Sequence, residues 1–149
     1  MINFLTIVIY LTLSITSFCF AQQETLRPIN PDTLRWFGLQ QSYPQFSYTW
    51  ITGNEKDENI YIFRVKLKAN GQLPPLKHPD TRYGTVLSGT LYIGFGKSID
   101  NSAMFEISNG EVYCIPANQT HYIKAGDSDV TYQEVGFGPT ATTGTAVFK

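Results

Sequence analysis

The chain has 149 residues, with 11 Lys and Arg against 12 Asp and Glu, and carries a net charge of −1. That length suits one domain with a real hydrophobic core. No basic patch or charge run stands out among the 15% charged residues, so nucleic acid is excluded as an expected partner. Aromatics at 14%, with 12 Gly and 8 Pro, suit an all-β protein rich in turns.

Residues 2–20 are uncharged and mostly apolar, and Ala21 is followed by Gln22-Gln23-Glu24. This reads as a secretory signal peptide over residues 1–21, with small Cys19 and Ala21 at the cleavage site. The expected location is therefore exported, either periplasmic or secreted, with no membrane contact after cleavage. The alternative is an uncleaved anchor, because the apolar run is near the minimum length of a span. Cleavage after Ala21 leaves Cys114 as the one cysteine, so no internal disulfide is expected. Cys114 lies in an apolar run and reads as a buried core thiol.

Residues 22–45 are polar and broken by Pro28, Pro31 and Pro44, which predicts an arm with one short strand packing Trp36 and Phe37 onto the body of the domain. The main domain is expected over residues 46–138. Phe46 to Thr52 is strand-like. From Ile60 to Lys68, Tyr61, Phe63, Val65 and Leu67 alternate with Arg64, Lys66 and Lys68, the pattern of a half-buried strand. Asn70-Gly71 is a turn, and Pro74-Pro75 forces an extended approach to His78. Tyr83 to Leu87 and Thr90 to Phe95 read as a hairpin about Ser88-Gly89. Short strands follow at Met104 to Ile107, Glu111 to Ile115, Thr120 to Lys124 and Val130 to Val135. Residues 139–149 are expected to form a loose or edge-capping tail. Short strands separated by turns indicate a sandwich or barrel.

Two blocks carry the only histidines, His78 and His121. The second block, GEVYCIPANQTHYIKA, places Gly110, Pro116, Asn118, His121 and Ala125 at fixed spacings. The first, GQLPPLKHPDTRYGTVLSG, places Leu76, His78, Arg82 and Gly89. These blocks resemble the two motifs of the cupins, and in particular small exported bacterial cupins. The second cupin motif has Gly, Pro, Gly, His and Asn where this chain has Gly110, Pro116, Asn118, His121 and Ala125. The first has His, His, Glu and Gly where this chain has Leu76, His78, Arg82 and Gly89. The resemblance implies a jelly-roll β-barrel, with His78 and His121 pointing inward toward one divalent transition metal: iron, zinc, manganese, copper or nickel.

Two of four usual ligands remain, whereas a catalytic centre normally offers three protein ligands. Asp80, Gln133 and Glu134 are candidate substitutes that spacing does not separate. Arg82 either points inward beside His78, where it would suit a carboxylate or phosphate, or tilts to the rim and pairs with an acid such as Asp80. Gln133 and Tyr92 are further candidate pocket residues. Two functions are open: a module binding a small molecule, anionic if Arg82 reads it, through Arg82, His78 and His121, or, as the resemblance implies, a metal-dependent oxygenase- or isomerase-like enzyme using His78 and His121. Exposed edge strands in such a fold are often covered by a second subunit, so a homodimer is an expected assembly.

Overall fold

A computed structural model describes residues 26–38 and 43–144; the expected signal peptide and the last five residues lie outside these. The described residues form two antiparallel sheets facing one another. In chain order the strands are β1 (Phe37–Gly38), β2 (Phe46–Thr52), β3 (Ile60–Leu67), β4 (Gln72–Lys77), β5 (Arg82–Ser88), β6 (Leu91–Phe95), β7 (Phe105–Ile107), β8 (Val112–Ile115), β9 (His121–Ala125), β10 (Val130–Phe137) and β11 (Thr143–Gly144). One sheet has the order β1-β2-β3-β10-β5-β8, the other β11-β4-β9-β6-β7.

The alternation read from residues 60–68 holds residue by residue. Tyr61, Phe63, Val65 and Leu67 are buried between the sheets, while Lys66 faces out. They pack with Phe46, Val86, Val130 and Tyr132 of the same sheet and Leu73, Leu76, Leu91, Ile93, Ile123 and Ala125 of the other. Removing side chains of this size from water is the main stabilising force, about 1.5–3 kcal/mol for each one fully buried.

The turns explain the edges of these strands. Gly89, at φ 75, turns the chain from β5 in one sheet to β6 in the other, so the hairpin expected about Ser88-Gly89 is instead a crossover between sheets; its missing Cβ would meet the carbonyl of Asp129. Asn118, which stands at a motif glycine position, also has a positive φ of 60; Asn tolerates this conformation better than other non-glycine residues. Pro74 and Pro75 lie on β4 where its pairing with β9 shifts register, between Leu73 and Leu76. Prolines cannot donate to a ladder, so the irregularity falls where they sit.

The N-terminal arm docks much as its composition predicts. Phe37 is registered with Tyr48 in the β1–β2 pair, and Lys66 lies 4.1 Å from the Trp36 ring centroid. Of the two forms expected for the tail, loose or edge-capping, its described residues take the second. After β10, Gly138 N donates to Asn59 O and Thr140 N to Glu55 O, both at 2.8 Å, and Thr143 and Gly144 register with Lys77 and Leu76 of β4. Residues 138–144 thus cross from one sheet to the other as a strap.

Cys114 corrects a second expectation. It lies on the outer side of β8 and is exposed, while Tyr113 and Ile115 beside it turn inward. Its neighbours in sequence are apolar because two of them serve the core, so the run hides an alternating pattern.

Candidate functional site

His78 follows directly on β4, and His121 opens β9, so the two strands deliver both rings to one end of the interior. Their centroids are 5.2 Å apart, and the residues are only 4% and 2% exposed. His78 Nδ1 lies 3.3 Å from the Ala141 carbonyl and 3.3 Å from Thr142 Oγ1; His121 Nδ1 lies 3.0 Å from the Gln119 carbonyl. A carbonyl can only accept, so each Nδ1 carries the proton and each Nε2 is left as a bare lone pair. Burial, with the Arg82 charge and His121 beside it, lowers the His78 pKa to about 2. Burial lowers that of His121 too, against opposing help from the Gln119 carbonyl and Glu134. Both rings are therefore neutral at neutral pH.

Arg82, the first residue of β5, points inward and is 4% exposed. Its Nη1 donates to Glu134 Oε2 at 3.2 Å, its Nη2 donates to Thr140 Oγ1 at 3.0 Å, and its Nε stands 3.6 Å from Asp80 Oδ2. The guanidinium carbon lies 5.6 Å from the Tyr61 ring centroid and 5.4 Å from that of Phe63. Burial works against this charge, but Glu134, Tyr61 and Asp80 outweigh it and raise the Arg82 pKa. Thr140 and Tyr61 donate short hydrogen bonds to Asp80, and Tyr113 OH donates to Glu134 Oε1 at 3.0 Å. Burial is the largest cause raising the pKa of Tyr61 and of Tyr113, so both phenols stay protonated.

This network bears on the anion reading of Arg82. Its charge already faces two carboxylates, so the cluster has no positive charge to spare for an incoming carboxylate or phosphate. The two alternatives weighed for Arg82 prove to be mixed: it points inward and pairs with acids there. Of the three guanidinium nitrogens, Nε alone lacks a hydrogen-bond partner among the described residues. Arg82 lines a cavity of about 20 Å³ with Trp50, Phe63, Thr140, Ala141 and Thr142, room for about one water molecule.

Gln133 and Tyr92 do not join the site. Gln133 is on the outer face of β10, where Arg64 Nη2 donates to its side-chain oxygen at 2.7 Å; Val130, Tyr132 and Glu134 are the inward set. Tyr92 lies outside on β6 and donates to Glu106 Oε2 at 3.1 Å. The residues missed by sequence reading are Thr140, Thr142 and the Ala141 carbonyl from the strap, and Tyr113 as the partner of Glu134.

A wider opening lies between the uncovered edges of the two sheets, β7 and β8. This cleft of about 540 Å³ is lined by Ile93, Phe95, Phe105, Ile107, Tyr113 and Ile115, with Glu106 and Glu111 among its other residues. Phe95 and Phe105 are 40% and 63% exposed although they share the inward side of their strands with Ile93 and Ile107. Phe95 is registered with His121 across β6 and β9, and Tyr113 is common to the cleft and the Glu134 network. Through Phe95 and Tyr113 the cleft lining thus adjoins residues of both walls of the polar site.

The donors present do not fit a three-ligand metal centre. Leu76 is buried apolar surface, Arg82 stands at the motif's Glu position, and among the described residues no group of three or more His, Cys, Asp and Glu side chains comes together to hold an ion.

Two facing antiparallel sheets with paired interior histidines define a cupin-like all-β protein. The sequence agrees: the Cupin family model matches residues 47–147, and the chain belongs to that family. Germin-like protein 8-5 of Oryza sativa subsp. japonica is 39% identical over 66 residues, which cover 42% of this chain and 30% of the rice protein. The chain thus spans less than a third of the length of that relative. Among solved structures, KdgF from Halomonas sp. has a TM-score of 0.58 at 15% identity, covering 74% of this chain and 94% of KdgF. The DMSP lyase DddQ from Ruegeria pomeroyi gives 0.64 at 15%, covering 76% of this chain and 62% of the lyase. The polyketide cyclase RemF from Streptomyces resistomycificus gives 0.62 at 14%, covering 76% and 80%. At these identities the likeness is one of fold.

Proposed function

We propose that this cupin is a binding module for a small uncharged molecule, whose apolar body sits in the β7–β8 cleft and whose polar end meets His121 and the Tyr113–Glu134 pair. The observation that carries this reading is that Arg82, which stands where the family motif calls for a metal-binding Glu, has its one positive charge already facing both Glu134 and Asp80. An anion would have to displace a carboxylate already paired with Arg82. A neutral molecule with a hydroxyl or amide can donate to a bare imidazole nitrogen at no electrostatic cost. The cleft volume of about 540 Å³ and its apolar lining with a few convergent polar groups suit such a ligand.

Nile red, a neutral apolar dye, tests the cleft directly. Saturable binding with a blue-shifted emission is expected for the protein as it stands, and loss of that signal in Phe105→Glu and Phe95→Glu. Equal dye binding by both variants overturns the reading.

A second reading is a metal-dependent enzyme of the oxygenase or isomerase kind, with His78 and His121 as two ligands. The two bare Nε2 lone pairs favour it; the missing third donor and the nearby Arg82 charge oppose it. Elemental analysis after purification without added metal distinguishes the two: near-stoichiometric transition metal would put the enzyme first.

A further inference from the structure

The strap contacts the polar site at every residue from Thr140 to Thr142. Thr140 Oγ1 accepts from Arg82 and donates to Asp80, the Ala141 carbonyl meets His78 Nδ1 at 3.3 Å, and Thr142 Oγ1 lies 3.3 Å from the same nitrogen. The same residues wall the small cavity beside Arg82. They supply hydroxyl and carbonyl oxygens to groups that, on an open barrel, would face water or a ligand. The strap itself is lightly anchored. Its ends are held by the Gly138 and Thr140 amides and by a two-residue pairing with β4, and Ala141 is exposed. No large apolar side chain stands between Gly138 and Thr142. Segments with few buried apolar contacts open locally at small cost.

We infer that residues 138–144 are a self-occupying lid: the strap fills the His78–Arg82 face with its own oxygens, and lifts to expose His78 without unfolding the barrel. This goes beyond the binding reading, because it concerns access to His78 whatever molecule the cleft takes.

The experiment uses diethyl pyrocarbonate, which carbethoxylates neutral imidazole and produces a distinct ultraviolet absorbance. The chain has 2 histidines, so the signal reports His78 and His121 alone. Two variants bracket the natural protein. Thr142→Val removes a strap hydroxyl from beside His78 without touching the charged network and should speed carbethoxylation by roughly tenfold, with the thermal midpoint close to that of the natural protein. Lys77→Cys with Thr143→Cys joins registered positions of β4 and β11. Its oxidised form should react at least tenfold more slowly than the same protein reduced, an effect on the order of that expected when a local opening is blocked. The reduced form serves as its own control for folding. Carbethoxylation at one rate in the oxidised and reduced forms overturns the lid. So does a natural rate that follows global unfolding across a urea series.

Discussion

Arg82 and Glu134 meet at 3.2 Å across the neighbouring strands β5 and β10, with side chains only 4% and 6% exposed. A pair buried this deeply offsets the loss of hydration only while both members are present. Arg82→Met should therefore cost about 3–5 kcal/mol, because Glu134 and Asp80 would be left as uncompensated buried charges. Adding Glu134→Gln to Arg82→Met should recover part of that loss. Urea denaturation of the single and double variants measures the coupling, and additive losses would show that the pair is not linked.

The same buried position makes acid a stress. His78 and His121 have folded pKa values depressed below the ordinary value of 6.5, so the folded chain keeps them neutral while the unfolded chain takes up protons. Where the unfolded state binds more protons, stability rises with pH. It should therefore fall as pH drops through 6.5, with each histidine contributing up to about 1.4 kcal/mol per pH unit well below that point. For His78 the loss continues toward about pH 2. Urea midpoints at pH 7.5 and 5.5 measure the slope. His78→Gln with His121→Gln should flatten it, and an unchanged slope would move the cause elsewhere.

Much of this could be read from the chain, because strand alternation is local. Tyr61, Phe63, Val65 and Leu67 lie inward as their spacing predicts, and Arg82 takes the inward one of the two orientations left open for it. What failed depended on distant partners. On β10, burying Glu134 makes sense only once Arg82, 52 residues earlier, is known to face it. Without that partner, a charged residue belongs outside and Gln133 looks like the inward neighbour. The strap was illegible for the same reason. Thr140 and Thr142 are common loop residues whose role comes from contacts 58 to 64 positions away.

Gly84 offers a steric prediction. A Cβ there would run into the ring and hydroxyl of Tyr113. Gly84→Ala should displace Tyr113 from Glu134 and cost about 1–3 kcal/mol through overpacking. Trimming the obstacle, as in Gly84→Ala with Tyr113→Ala, should remove the clash but leave Glu134 short of a donor. A thermal melt of Gly84→Ala alone that matches the natural protein would refute the contact.

The lost ligand positions can be restored. Leu76 is 3% exposed and registered with His121 across β4 and β9, so a histidine there would emerge beside that ring. Leu76→His with Arg82→Glu should gain near-stoichiometric divalent metal by elemental analysis, since the cation would take over the charge compensation that Arg82 now supplies. Absence of metal in a folded variant would mean that the end of the barrel cannot bring four donors together.

The polar site is divided between the two sheets, and the halves are built differently. The five-stranded sheet contributes two uncharged rings, each steadied by its own backbone carbonyl. The six-stranded sheet contributes charges that depend on one another. Sequence drift should treat these walls unequally. The histidine wall can exchange one member at a time, because neither ring is held in place by the other. The charged wall can change only by linked steps, so Arg82 and Glu134 should vary together or not at all.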